Sequence, residues 1–142
     1  MNKIYLIILL ASLLVVAGCG TKQQENTDGI TGQTSSKTYT VEIIQDGSFV
    51  PAELTIKQGD TVTWVNKWTK DSWPASASHP THEVYPGSGI EKCDTSEQSG
   101  IFDACKGLKP GESWSFTFNE KGSWGYHDHL NFPGKFGKVI VE

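Results

Sequence analysis

The chain has 142 residues, enough for one ordinary core and too few for two, and its composition of 37% hydrophobic and 20% charged residues with 15 Gly and 6 Pro is globular and rich in turn formers. The formal net charge is −4, and all twelve basic residues are lysines, so a phosphate- or nucleic-acid-gripping surface built on guanidinium groups is excluded. The absence of a Walker-type loop, a GxGxxG or a GxSxG motif sets aside nucleotide enzymes and α/β-hydrolases.

In chain order, Met1-Asn2-Lys3 supplies a short positive start, and residues 4–16 (IYLIILLASLLVV) are almost unbroken aliphatic. The run is short for a membrane span and ends in small residues, the pattern of a signal peptide. Val16-Ala17-Gly18-Cys19 resembles the lipobox of bacterial lipoproteins, which implies a signal peptide over 1–18 and diacylation of Cys19 as the new N-terminus. That places the rest of the chain outside the cytoplasm, anchored to the cell membrane, where disulfides persist. Residues 20–37 contain one aliphatic side chain, Ile30, and no aromatic. They bury too little apolar surface to offset ordering entropy and read as a tether with a relaxed reach of about 25 Å.

Residues 38–142 read as strands. Tyr39, Val41 and Ile43 alternate with Thr40 and Glu42; Leu54 and Ile56 with Glu53, Thr55 and Lys57; Val62 and Trp64 with Thr61 and Thr63. Trp114, Phe116 and Phe118, then Trp124 and Tyr126, then Val139 and Val141 repeat the period of two, punctuated by Pro110-Gly111 and Lys121-Gly122. The pattern predicts an all-β, antiparallel sandwich of Greek-key or immunoglobulin-like kind. One long insert, 67–107, interrupts it with three Pro, both remaining Cys and two of the four His; a loop of that length in a small sandwich is functional or stapled.

From Phe49 onward the chain resembles the cupredoxin (plastocyanin-like) family. The resemblance is carried by Phe49-Val50-Pro51, Leu54-Thr55-Ile56, the run from Gly59-Asp60 to Val65-Asn66, Leu108-Lys109-Pro110-Gly111-Glu112, Phe116-Thr117-Phe118, Lys121-Gly122-Ser123-Trp124-Gly125-Tyr126-His127 and Gly137-Lys138-Val139-Ile140-Val141. It implies a Greek-key sandwich with a metal site near one end, and extracytoplasmic electron transfer or copper handling. Blue-copper members bind the metal through two His, a Cys thiolate and a weak axial ligand. Here the Cys position is Asp128, the following His position is Asn131, the first His position falls near Trp73, and there is no Met after Met1. Without a thiolate, the blue site and its fast electron transfer are not expected.

The four histidines instead form two motifs, His79-Pro80-Thr81-His82 and His127-Asp128-His129. Neutral imidazole is a preferred ligand of copper and zinc, and two pairs offer four nitrogens. His-x-His on a strand puts both rings on one face, roughly 6.5–7 Å apart at the backbone. In the family, the segments that carry the two motifs converge, which implies a copper (or zinc) site of His79, His82, His127 and His129, with Asp128 or Glu83 orienting a ring or adding an oxygen. Strict alternation sets a competing expectation: with Tyr126 in the core, His127 and His129 face away from it, unless a bulge re-aims them or the insert folds over that face.

Cys93 and Cys105 read as a disulfide, which would stabilise by roughly 3 kcal/mol and would be the main constraint on residues 94–104. The aromatic residues of the strands are core by default; Trp68, Trp73 and Tyr85 in the insert would wall the site or form a docking patch. Two functions fit these residues. One is a lipid-anchored, non-enzymatic, copper-binding protein that stores, passes or slowly cycles copper with a redox or copper-transfer partner and no nucleic acid. The other is a metal-free sandwich that serves as an interaction module or as an accessory subunit of a membrane complex.

Overall fold

A computed structural model describes residues 35–142. The expected signal peptide, Cys19 and all of the tether before residue 35 lie outside the described residues. Eight strands and two single turns of 3-10 helix, Ile90–Lys92 and Gln98–Gly100, form among the described residues. The strands are β1 (Thr38–Ile43), β2 (Phe49–Val50), β3 (Glu53–Ile56), β4 (Thr61–Asn66), β5 (Pro74–Ser76), β6 (Ser113–Thr117), β7 (Gly122–Asp128) and β8 (Phe136–Val141). They build two four-stranded sheets, in the orders β2-β1-β4-β6 and β3-β8-β7-β5.

The alternation read from the sequence is the alternation of burial. Val41 and Ile43 of β1, Val62 and Trp64 of β4, Phe116 of β6 and Val139 and Val141 of β8 face the core, while Thr40, Glu42, Ser115 and Lys138 face out. The sandwich is mixed, however, where an antiparallel one was expected: β1 pairs β4 in parallel, and β3 pairs β8 in parallel. The chain leaves the first sheet after β2, adds β3 to the second, and returns as β4. Neighbours reached by such a crossing are not joined by a hairpin, so nothing forces them antiparallel.

Trp64 is the hub of the core, with ring centroids of Trp114 at 5.2 Å, Phe102 and Tyr126 at 5.3 Å and Phe118 at 6.3 Å. Gly137 lies opposite Tyr126 in the β7–β8 pair, and a Cβ there would collide with the Tyr126 ring. Phe102 was not anticipated as core. Residues 94–104 were expected to have little beyond the staple to order them, yet Ile101, Phe102 and Ala104 are buried. The segment returns alongside β5: Ser76 N–H donates to the Phe102 carbonyl at 2.8 Å, Ala104 N–H donates to the Pro74 carbonyl at 3.0 Å, and Ala75 bridges Asp103. The Cys93–Cys105 disulfide closes it, with a Cα–Cα distance of 5.3 Å.

Of Trp68, Trp73 and Tyr85, two belong to this scaffold. Trp68 packs against the core, and Tyr85 is buried with its hydroxyl accepting the N–H groups of Asn119 (3.0 Å) and Glu120 (3.3 Å). Trp73 alone of the three reaches the histidines.

Candidate metal centre

The β5–β7 ladder positions the site. Ala75 pairs with His127, and after Ser76 the insert leaves β5 and carries His79 and His82 across the outside of the sheet. Tyr126 points inward against Trp64 and Phe49, so alternation does send His127 to the other face, as the period predicts. That face is not open. The rings of His79, His82 and Phe132 lie over His127 at 5.4, 5.0 and 5.9 Å, leaving it 1% exposed.

All four histidines come together. One ring nitrogen from each lies within 4.8 Å of the others. Four neighbouring ring pairs have centroids 4.8–5.4 Å apart, while the two cross pairs, His79 with His82 and His127 with His129, are at 6.5 and 6.3 Å. The set is four-cornered, with His82 and His127 buried and His79 and His129 half-buried on the solvent side.

The nitrogens themselves test whether an ion fits. Neither ring nitrogen of His127 has a hydrogen-bond partner within the protein, and neither does Nδ1 of His79. Buried polar atoms are normally paired, and an unpaired one costs about 1–3 kcal/mol. An ion at the centre would take up nitrogen lone pairs that the protein leaves unpartnered, so the donor set fits a transition metal. Burial, followed by the neighbouring imidazoles of His82, His79 and His129, pushes the pKa of His127 down to about 4. Burial and the His82 and His79 rings also lower that of His129. Both are therefore neutral at pH 7, the protonation state that ligates. His82 is held with a φ of 61°, a conformation uncommon for residues other than glycine and a form of backbone strain that concentrates at functional sites.

The carboxylate beside an imidazole is neither of the two expected. Glu83 is exposed and lies outside the cluster. Asp128 is buried, but its Oδ1 accepts the N–H groups of Trp73 (3.0 Å) and Leu130 (3.1 Å), and its Oδ2 accepts Asn131 Nδ2 (2.8 Å). Asp128 and Asn131, to which the resemblance assigns blue-copper ligand positions, and Trp73, near which it puts a third, thus bond to one another. Asp103 instead places its Oδ2 2.5 Å from His82 Nδ1. No local sequence signal marks Asp103; only the return of the insert beside β5 brings it here. Phe132 was also missed. Its ring stacks on His79 at 4.2 Å, and with Leu130 and Phe136 it forms an exposed apolar rim. Trp73 walls the other side, 4.6 Å from His129.

Comparison with known proteins places this site in context. Residues 37–142 match the family model for copper binding proteins of the plastocyanin/azurin family. The chain is 32% identical to the chloroplastic plastocyanin of Tetradesmus obliquus over 98 residues, 66% of this chain and 58% of that protein. It is 33% identical to the plastocyanin of Scenedesmus fuscus over 78 residues, 55% of this chain and 68% of that one. The chain therefore spans under two thirds of the first of these relatives. Among solved structures, a purple cupredoxin from Nitrosopumilus maritimus superposes with a TM-score of 0.55 at 22% identity, over 73% of this chain and 99% of that one. A methionine-to-alanine mutant of amicyanin in the Cu(I) state gives 0.56 at 25% identity, over 74% and 82%. A two-sheet sandwich with this strand order, matched over its whole length by the family model, makes the chain a member of the copper-binding plastocyanin/azurin family.

Proposed function

We propose that this protein binds one copper ion through His79, His82, His127 and His129, and that it holds and passes copper, or cycles electrons slowly, rather than catalysing a reaction. The observation that carries this reading is the four converging imidazole nitrogens: Nδ1 of His79 and both nitrogens of His127 find no partner within the protein, and His82 Nε2 and His129 Nδ1 find only one another. Copper, when bound, supplies a Cu(II)/Cu(I) couple. The chain supplies the rest. His127 and His82 form the dry floor of the site, His79 and His129 its solvent side, and Phe132 and Trp73 exclude water from the flanks. An all-nitrogen donor set lacks the sulfur that favours Cu(I) and gives blue sites their charge transfer, so the site is non-blue and suited to divalent ions; zinc is the competing occupant.

The half-buried His79 and His129, rimmed by Leu130, Phe132 and Phe136, are the side from which a redox or copper-transfer partner would approach. The lipobox-like Cys19 supports an extracytoplasmic, membrane-anchored location. Copper titration of the purified protein with EPR tests the reading. One Cu(II) per chain with nitrogen hyperfine structure and only weak visible absorption is expected. An intense thiolate band, or unchanged binding in both His82→Ala and His127→Ala, would overturn it and, in the latter case, favour an interaction module.

A further inference from the structure

We infer that Asp103 is the positioning residue of the histidine cluster: it locks His82 in the tautomer that carries its proton on Nδ1 and so presents a bare Nε2 to the other three rings. The inference rests on the copper-binding reading for its purpose, but its structural content is independent of it.

Asp103 is 1% exposed, and a buried carboxylate must be met by donors. Its Oδ1 accepts Trp73 Nε1–H at 2.5 Å and the Cys105 N–H at 2.7 Å, and its Oδ2 faces His82 Nδ1. An ionised carboxylate only accepts, so His82 Nδ1 carries the hydrogen. In the neutral ring, the form that ligates, the second nitrogen Nε2 then holds a lone pair, and it lies 2.9 Å from Nδ1 of His129, from which it can accept a hydrogen in the metal-free protein. Asp103 cannot swing away, because it bridges Ala75 of β5 and lies two residues from the disulfide-bonded Cys105. A carboxylate behind a ligating imidazole fixes both ring orientation and tautomer and raises ligand basicity.

The two donors on Oδ1 make the inference sharp. In Asp103→Asn the amide oxygen stays with Trp73 Nε1–H and Cys105 N–H, so the NH2 group faces His82. Nδ1 of His82 must then accept, and the proton moves to Nε2, aimed at the cluster. Volume is unchanged while the hydrogen-bond sense is reversed.

The test is nitrogen-15 NMR of the imidazoles in the metal-free protein, joined to Cu(II) and Zn(II) titration calorimetry. Wild-type His82 is expected as the Nδ1–H tautomer and Asp103→Asn as Nε2–H, with metal affinity reduced 10- to 100-fold in the variant. An Nε2–H tautomer in the wild type overturns the inference even if the variant fails to fold. So does a folded Asp103→Asn protein with wild-type affinity and a lower unfolding temperature, which is the signature of a merely structural residue. If the wild type binds neither metal, the copper reading fails while the tautomer result still decides the role of Asp103.

Discussion

His127→Leu separates the stability of the fold from the chemistry of the site. His127 is 1% exposed, and both of its ring nitrogens lack partners in the protein. Replacing it with an apolar side chain of similar volume removes a desolvation cost of about 1–3 kcal/mol, part of which the mismatch between a branched chain and a flat ring returns. The metal-free variant should be more stable than wild type by about 1 kcal/mol at pH 7. Acid widens the gap. The His127 pKa lies at about 4 in the folded protein against roughly 6.5 unfolded. Between those values the unfolded chain binds more protons, so the stability that depends on a neutral His127 falls as the pH drops from about 6.5 to about 4, and that contribution is gone below. At pH 4.5 the loss relative to pH 7 from this one residue is about 2 kcal/mol, and His127→Leu should be free of it. Urea unfolding of both metal-free proteins at the two pH values, followed by tryptophan fluorescence, measures this directly. Added Cu(II) should invert the order, because at a hundredfold excess over Kd a ligand stabilises by about 2.7 kcal/mol and the variant has lost a ligand. Parallel loss of stability by the two proteins between pH 7 and 4.5 would refute the reasoning.

His79→Ala and His82→Ala should each reduce Cu(II) affinity tenfold or more by titration calorimetry, with the smaller effect at half-buried His79, where water replaces the ring. Replacing both Cys93 and Cys105 with Ser should cost roughly 3 kcal/mol in denaturant unfolding, since the bridge closes a loop with a sequence separation of 12. Phe102→Ala should cost about 3–5 kcal/mol, because its ring contacts Trp64, Phe116, Phe118 and Tyr126 at the centre of the core. A loss below 1 kcal/mol would show that the insert does not complete the core.

The positions to which the resemblance assigned blue-copper ligands are filled by groups that bond to one another. Trp73 N–H, Asp128 and Asn131 satisfy one another and fix the turn that follows β7. The metal-competent groups sit beside them, His127 one position before Asp128 and His129 one after. A shift of one residue on a strand changes the face, so the two histidines flanking Asp128 and Asp128 itself turn to opposite sides of β7.

The strand faces were legible in the sequence because a period of two depends only on neighbouring residues: Val41 and Ile43, Val62 and Trp64, and Tyr126 all lie inward, as the alternation requires. The histidine motifs were equally plain, since residue type alone marks a candidate ligand. Whether they meet, and which acid joins them, depended on where a long irregular insert comes to rest. Alternation correctly turned His127 away from the core but says nothing of what covers it, which is a matter of contacts between residues dozens of positions apart. Phe102 and Asp103 show the same limit on adjacent residues, one directed to the centre of the core and the other to the histidine cluster. Their assignments follow from a short return beside β5 and its bridge to Ala75, and only the folded chain supplies that pairing.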